Sequence, residues 1–291
     1  MLYNSFNAWY WKHGWGKDYF GCKPEQTRIF YDIYNDLTPE CSIAAFDKDT
    51  GRLIGACFYH PREHHVALGI MSVHPDFGGR GIGRCMVEHI LRYTREHGYK
   101  SCRLVGSAIN MNSFSLYNRS GFVPRVSYHD MVINVPDVLN MDFQGEERVR
   151  DAVIADVAAM GELEMEVGGI RREIDYRYAV ENPRKVLHAA VYETDQKAID
   201  GFMISVRHPA LNMLGPCVAR SEETALALIR REAERFKGTW ALCVVPMEKR
   251  KMVEQLYKWG AVNVETHLKQ VWGEFQPYKG VKMPSFLPET G

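Results

Sequence analysis

The chain has 291 residues, of which 46% are hydrophobic and 12% aromatic, which is enough for one large or two medium packed domains. Lys plus Arg and Asp plus Glu are equal at 36 each, so the charge balance gives no reason to expect a nucleic acid as partner. The sequence shows no N-terminal secretion signal, no apolar run of membrane-spanning length, and seven scattered cysteines without a C-x-x-C pair. We therefore expect a soluble, cytoplasmic protein without a membrane partner or a bound metal, either a monomer or a homodimer.

The first part of the chain is unusually rich in aromatic side chains: Trp9, Tyr10, Trp11, Trp15, Tyr19 and Phe20. Such rings either wall a pocket for a cationic or aromatic ligand, or pack in the core and between domains. Residues 24–37 follow with the apolar spacing of a helix.

A glycine-rich segment, residues 74–84, lies between a strand-like apolar run and an amphipathic helix. Four glycines in six residues allow a sharp turn, and the helix that follows offers free N–H groups and a positive dipole end. The Gly-Lys-Ser/Thr of a P-loop and the spacing of a dinucleotide-binding loop are both absent from this segment. The pattern therefore predicts a pyrophosphate-binding turn of another kind.

Three further elements follow the loop. Apolar residues on one face predict a helix from Ile82 that ends at Gly98, and residues 102–105 predict a strand. A short helix then begins near Asn110, and Gly121-Phe122 returns the chain to a strand.

Taken in order, these residues resemble the GCN5-related N-acetyltransferase (GNAT) superfamily. The residues that carry the resemblance are Val73, Pro75, Gly81, Gly83, Asn110, Ser113, Leu116, Tyr117, Gly121 and Phe122. It covers about residues 40–135, and it departs from the family pattern at Gly78, where Gln or Arg is usual. The resemblance implies an α/β fold with a twisted mixed sheet flanked by helices, and acetyl-CoA as co-substrate.

The resemblance also implies roles for individual residues. Backbone groups of Met71 and Val73 would contact the pantetheine arm, and the Val73 N–H would stabilise the oxyanion. The pyrophosphate would be held by Gly78, Gly79, Arg80, Gly81, Ile82, Gly83 and Arg84. Asn110 would contact the pantetheine arm, and Ser113 would be a further cofactor-binding residue. Tyr117 would protonate the leaving thiolate, unless it is only a packed aromatic.

The general base is the least determined part of the site. An alkylamine has a pKa of about 10, so a proton must be removed before it attacks near neutral pH. The family often has Glu or His at positions that are Ala67 and Gly69 here. His65 lies on the same face of the strand, one step farther out, and could act through water unless it is a surface residue. Glu63 and His74 are weaker candidates, and deprotonation without a dedicated side chain is a further alternative.

The second half repeats the order of the first half without its glycines. A strand pair near residues 189–201, a helix over 222–237, a strand over 240–245 and the pair Leu256-Tyr257 follow one another. Residues 216–221 stand where the first half has its glycine loop. We therefore predict two tandem GNAT-like domains, a catalytic domain over 1–137 and a degenerate domain over 138–291, with one acetyl-CoA site per chain.

The expected function is transfer of an acetyl group from acetyl-CoA to a primary amine of a small molecule. The alternatives are a non-catalytic acyl-CoA-binding sensor or interaction protein, and a protein or peptide N-acetyltransferase. Residues 287–291 match a sortase recognition pentapeptide, which we interpret as a chance match or an added tag.

Overall fold

The computed structural model describes residues 1–136 and 143–288. Its helices are α1 (Leu2–Lys12), α2 (Arg28–Leu37), α3 (Ile82–Glu96), α4 (Met111–Arg119), α5 (Val157–Gly168), α6 (Glu173–Glu181), α7 (Glu222–Ala233) and α8 (Arg250–Lys258). Its strands are β1 (Ser42–Phe46), β2 (Leu53–Pro61), β3 (His65–Val73), β4 (Ser101–Ser107), β5 (Val123–Val135), β6 (Val149–Asp151), β7 (Leu187–Glu193), β8 (Ile199–His208), β9 (Leu211–Ala219), β10 (Thr239–Pro246), β11 (Val262–Gly273) and β12 (Val281–Met283). The predicted domain boundary at 137/138 lies outside the described residues.

The two halves contain the same series of elements, as the sequence repeat predicts. In each half three antiparallel strands are followed by a helix, a strand, a short helix and a final long strand. The series runs from β1 to β5 in the first half and from β7 to β11 in the second half. The α/β class, with a mixed sheet flanked by helices, is therefore confirmed.

The final strands of the two halves are exchanged. The sheet has the order β1-β2-β3-β4-β11-β5-β10-β9-β8-β7-β6, with β12 paired to β9. Strand β11 lies between β4 and β5, where His267 is opposite Ser107, and β5 in turn pairs with β10. The sequence repeat predicts two separate sheets, whereas the structure joins both halves in one continuous sheet.

Helix α3 shows how local sequence sets an element of the site. It begins after Gly81, whose φ of +83° is favourable only for glycine, and it ends before Gly98, whose φ is +72°. Its apolar residues, spaced three and four apart, are buried against the sheet: Met86, Val87, Ile90 and Leu91.

The sheet separates three groups of buried side chains. One lies under α3 and α4, a second under α7 and α8, and a third on the opposite face with α1, α2, α5 and α6. Leu287 belongs to the third group and is fully buried, so the first residue of the pentapeptide that matches a sortase motif is part of the fold. Residues 289–291 of that motif lie outside the described residues.

Among the helices of the described ranges, none combines the length and apolar character needed to cross a membrane.

Candidate active site

A gap opens in the sheet between β3 and β4. The two strands run parallel and pair over three positions, from His65 opposite Ser101 to Ala67 opposite Arg103. Beyond this point β3 continues to Val73 and β4 continues to Ser107, but the two described strands diverge. Counting on in the same register places Ser107 level with Met71, on the far side of the gap.

The glycine loop stands at the end of β3 and leads into α3. Gly79 and Gly81 have φ values of +76° and +83°, and a Cβ at either position would meet no heavy atom within 4 Å. These glycines are therefore required by the direction of the backbone and not by crowding. Helix α3 has neither a side-chain cap nor an acidic residue in its first turn. Its first N–H groups thus remain available to an anion, as does the positive end of its dipole.

The charged residues of the loop are exposed and weakly held. The Arg80 guanidinium lies 4.8 Å from the centre of the Phe77 ring, and Arg84 donates to Glu88 over 2.7 Å. Both positions of the Arg84–Glu88 pair are more than half exposed, so the pair contributes little to stability. Both arginines can turn towards a bound phosphate at low cost.

Gly83 and the adjacent side chains hold the loop against the short helix α4. A Cβ at Gly83 would lie 3.3 Å from the Leu116 side chain and 3.9 Å from that of Met71. The predicted residues Met71, Val73, Ile82 and Leu116 all pack on the core under α3. The structure therefore brings the predicted β3, loop and α4 residues together around one end of the gap.

Asn110 and Ser113 form the N-terminal cap of α4. The Asn110 side-chain oxygen accepts a hydrogen bond from the Ser113 backbone N–H over 3.1 Å. Tyr117 lies one turn later with 7% of its surface exposed, and its ring packs on Phe122 at 5.9 Å. A Cβ at Gly106 on β4 would lie 3.8 Å from the Tyr117 ring, which places Tyr117 beside the gap.

His65 lies away from the open end of the gap. It occupies the first position of β3, about 20 Å along the strand from Met71, and has no exposed surface. Burial lowers the pKa of His65 well below its usual value, and Arg103 and other nearby cations lower it further. The expectation of a surface histidine is therefore wrong, and His65 lies far along β3 from the end of the strand at which the thioester is expected.

The other positions considered for a base are also occupied by structural groups. A Cβ at Gly69 would come within 2.8 Å of the His60 Nε2 atom, so glycine leaves room for that buried ring. Glu63 accepts a hydrogen bond from the Glu173 backbone N–H over 3.3 Å, and the His74 Nε2 atom lies 2.6 Å from Arg52.

A buried acidic group on the exchanged strands β5 and β11 was not predicted from the sequence. The side-chain ligand atoms of Asp130, Glu265 and His267 lie within 4.8 Å of one another, and all three residues are buried. The Ser107 hydroxyl donates to Glu265, and the Tyr10 hydroxyl donates to the same carboxylate over 3.0 Å. We call these five residues the acidic cluster. Because its members hydrogen-bond one another, the cluster is satisfied without a metal ion.

Burial raises the pKa of the Glu265 carboxyl, although His267 lowers it in part. Asp130 accepts a hydrogen bond from the Nδ1 of His267 over 3.0 Å, which orients the imidazole. In the sequence, the one visible signal was the alternation of Glu265, His267 and Lys269 along a strand whose alternate positions face the core.

An apolar cavity of about 290 Å³ adjoins the C-terminal end of β3, which is also the end at the glycine loop. It lies between α1, the segment before α2, and the sheet, and its lining includes Leu2, Tyr31, Phe58, Ile70 and Ser72. The Ser72 hydroxyl is buried and has no hydrogen-bond partner among the described residues. This cavity and the acidic cluster lie on the same face of the sheet, where Tyr10 of α1 reaches Glu265.

A larger, polar cavity of about 610 Å³ lies in the second half, away from the gap. There Ser205 and His188 both contact Glu232, over 2.6 Å and 3.0 Å. The serine and the histidine are thus not arranged as a nucleophile and its base.

No equivalent open gap is seen among the described residues of the second half. Strands β9 and β10 pair at two positions, and β12 then pairs with Cys217–Ala219 of β9 and also contacts β10. The chain's own β12 therefore fills the position where β3 and β4 of the first half diverge.

The turn before α7 also differs from the glycine loop. Only Arg220 and Ser221 separate β9 from α7, and the Ser221 side chain caps the helix by accepting from the Thr224 N–H. Glu222 and Glu223 follow in the first turn. A capped and acidic helix start disfavours a second pyrophosphate.

Comparisons with known proteins agree with this architecture. The profile of the "Acetyltransferase (GNAT) family" matches residues 7–122, and that of an "Acetyltransferase (GNAT) domain" matches residues 160–276. A comparison with curated protein sequences finds no match.

Several solved structures share the fold. A putative acetyltransferase from Pyrococcus horikoshii has a TM-score of 0.70 at 17% identity, with coverage of 92% of this chain and 87% of that chain. A tandem GNAT protein from the clavulanic acid biosynthesis pathway has a TM-score of 0.52 at 15% identity, covering 84% and 87%. The N-myristoyltransferase of Saccharomyces cerevisiae, solved with bound myristoyl-CoA, has a TM-score of 0.57 at 10% identity, covering 96% and 76%.

Two family matches in tandem, a gap beside a glycine loop in the first half and the shared fold lead to one conclusion: this chain belongs to the GNAT superfamily of acyl-CoA-dependent N-acetyltransferases.

Proposed function

We propose that the chain transfers an acetyl group from acetyl-CoA to a primary amine of a small molecule, at one site in the first half. The observation that carries the proposal is the contrast between the two halves. The first half has an open gap and an uncapped helix behind a glycine loop, whereas β12 and Ser221 close the equivalent positions of the second half. In domain terms, residues 1–137 would be catalytic and residues 138–291 degenerate.

The residues around the gap fit acetyl-CoA. Backbone groups of Met71 and Val73 would contact the pantetheine arm, and residues 78–84 would hold the pyrophosphate with backbone N–H groups and two mobile arginines. Asn110 and Ser113 would border the pantetheine at the start of α4. Acetyl-CoA, when bound, supplies an acetyl group activated as a thioester.

Glu265 is our candidate for the general base, in place of His65. Its carboxylate accepts a hydrogen bond from the hydroxyl of Ser107, which is level with Met71 across the gap. A proton from the amine can therefore pass through the Ser107 hydroxyl to Glu265. A carboxyl whose pKa burial raises is a better base near neutral pH than an ordinary glutamate. Asp130 and His267 would border the site beside Glu265.

Tyr117 is our candidate for the acid. It borders the gap from α4, on the face opposite the acidic cluster, and its phenol can give a proton to the leaving thiolate. The Val73 N–H remains the proposed donor to the oxyanion.

A small acceptor fits the cavity beside β3 better than a protein does. Helices α1 and α2 border this cavity, and about 290 Å³ is at the lower end of the range for a small-molecule site. All seven cysteines are free thiols, as expected for the reducing cytoplasm that we propose as its location.

The test is a screen of primary amines with acetyl-CoA, in which free CoA release is followed by a thiol reagent and the acetylated product by mass spectrometry. The proposal expects amine-dependent CoA release with at least one small amine. Binding of acetyl-CoA without turnover across the amines, while a peptide library is acetylated, would overturn the small-molecule assignment.

A further inference from the structure

A second charged group, basic in character, lies on the same face of the sheet as the acidic cluster. It consists of His65, Arg103, Arg172, Lys269 and Lys282, which we call the buried basic cluster. None of the five is more than 3% exposed. His65 is opposite Ser101 in the sheet, and the Arg103 Nε donates to the Ser101 hydroxyl over 3.0 Å. Arg172 and Lys282 share the Glu164 carboxylate, and these cations and Lys269 all lie near enough to His65 to lower its pKa.

The cluster is contributed by both halves of the chain. His65 begins β3 and Arg103 lies on β4, whereas Lys269 lies on the exchanged β11 and Lys282 on β12. Arg172 precedes α6. The ammonium groups of Lys269 and Lys282 lie 5.4 and 5.9 Å from the centre of the Tyr278 ring.

Positive charge exceeds negative charge in this region. Glu164 contacts Arg172 and lies 2.8 Å from the Lys282 Nζ atom. Asp175 is held by two N–H groups of Arg62, a further buried cation. With Arg62 included, five guanidinium and ammonium groups therefore face these two carboxylates. Uncompensated charge in a protein interior costs several kcal/mol per ion, so the imbalance requires a counter-charge or loss of protons.

Several polar atoms of the cluster also lack hydrogen-bond partners. Among the described residues, Arg103 Nη1, Arg172 Nη1 and both ring nitrogens of His65 are buried without a hydrogen-bond partner. Buried donors of this kind are rare, because each one loses its hydrogen bonds to water without replacement.

We propose that the buried basic cluster binds one compact oxyanion of the phosphate or sulfate type between the two halves of the chain. The Arg103 and Arg172 guanidinium groups donate to its oxygens, and Lys269 supplies charge. Arginine is suited to this role because its planar fork matches the oxygens of such an anion. The anion then links β4 of the first half to the segment before α6 of the second half.

The site differs from the proposed pyrophosphate site. His65 and the glycine loop are at opposite ends of β3, about 25 Å apart along the strand. The proposal therefore stands independently of acetyl transfer.

Proton uptake should accompany the binding of the anion. Burial, followed by the nearby Lys282, lowers the pKa of Lys269 well below its usual value, and burial lowers the pKa of Lys282 to about 7 although Glu164 opposes this. The other groups that lie near these lysines are His65, Arg103, Arg172, Glu164 and Tyr278. An anion stabilises the charged ammonium forms, so the affinity for sulfate, which keeps its charge over this range, should rise as pH falls from 8 to 6.

The probe is inorganic phosphate, titrated calorimetrically into the full chain in phosphate- and sulfate-free buffer with saturating CoA. CoA occupies the glycine loop, and the variant Gly81→Glu provides a second way to exclude that loop. We expect one phosphate per chain and a rise in Tm of about 5 °C at 100-fold excess over Kd. Sodium chloride of equal ionic strength should not reproduce the rise.

Two variants separate binding from general stability. Lys269→Met removes a buried amine that has no carboxylate partner for its charged form, so in phosphate-free buffer it should unfold at the wild-type Tm or above, and it should lose the response to phosphate. Arg62→Met is the matched control, because Arg62 is equally buried but paired; it should lower Tm and keep the response.

The source of the anion can be distinguished by denaturing the freshly purified chain and analysing what it releases before and after phosphatase treatment. Release of inorganic oxyanion or of a phosphate ester supports the site and identifies what it carries. Absence of phosphate-specific binding in the wild type, or an undiminished response in Lys269→Met, would overturn the proposal.

Discussion

The Ser107 hydroxyl donates a hydrogen bond to the carboxylate of Glu265, although 158 positions separate the two residues in the chain. Ser107 ends β4 at the gap of the first half, and Glu265 lies on the strand that the second half contributes beside β4. Through this bond the second half, whose described residues form no open gap of their own, places a carboxylate at the candidate site of the first half.

Replacing Glu265 by Gln should lower kcat by about 10²–10⁴-fold, because the amide cannot take the proton of the amine. Binding of acetyl-CoA should be unchanged, since the substitution lies on the acceptor side of the gap. Steady-state kinetics and calorimetry check both expectations. Glu63→Gln is the control and should keep wild-type activity; equal losses in the two variants would contradict the assignment of Glu265.

The pH dependence of kcat/KM should identify the same group. Glu265 must be ionised to act, and burial raises its pKa above the ordinary value of 4.5. Activity should therefore fall as pH decreases through that raised pKa. The groups that share its surroundings are Tyr10, Ser107, Asp130 and His267. In Glu265→Gln the residual rate should lose this acidic limb, and persistence of the limb would assign it to another group.

Replacing Tyr117 by Phe should lower kcat by about 10²-fold while the fold is retained, because only the phenolic proton is removed. Turnover should recover in part with an acyl donor whose leaving thiol has a lower pKa, since such a thiolate needs less help to depart. Tyr99→Phe, on the same half of the chain, is the matched control. A wild-type rate in Tyr117→Phe would leave this tyrosine with a packing role only.

Glu164→Gln should destabilise the fold by about 3–5 kcal/mol, because it leaves Arg172 and Lys282 buried without their counter-ion. Burial alone would raise the pKa of Glu164, but Arg172 and Lys282 outweigh it and hold the pKa at about 2. The carboxylate therefore stabilises the wild type above the unfolded pKa of about 4.3, and this stabilisation is lost as pH falls towards 2. Denaturant unfolding at pH 7 and pH 3 tests both statements, and the difference between wild type and Glu164→Gln should shrink at pH 3.

The sequence predicted the backbone features on the proposed cofactor side of the site because their signals are local. Gly79 and Gly81 require positive φ, Asn110 caps α4, and the helical spacing after Ile82 gives α3, so each feature depends on residues close in the chain. The acceptor side depends on which strands become neighbours. Glu265 reaches Ser107 only because β11 inserts between β4 and β5, and a strand exchange leaves no mark in local periodicity.

Contacts between segments that are distant in sequence also explain two other differences between the predictions from sequence and the structure. His65 has the alternation expected of a strand face, but it is buried near Arg172, Lys269 and Lys282, which are more than 100 residues away in sequence. The sequence also suggested that missing glycines alone would disable the second half. Strand β12 fills the gap of the second half because residues 281–283 pair with residues 217–219. A strand of three residues is too short for this pairing to be predicted from the sequence.

The central claim, one acetyl-CoA site per chain in the first half, is tested most directly by calorimetric titration of acetyl-CoA into wild type and Gly81→Glu. We predict a stoichiometry of one for the wild type and at least a 100-fold loss of affinity in the variant, because a side chain and a carboxylate would enter the pyrophosphate turn. Gly98→Glu, which has the same left-handed backbone and open surroundings at the other end of α3, should bind as the wild type does. A stoichiometry of two, or undiminished binding in folded Gly81→Glu, would contradict the account.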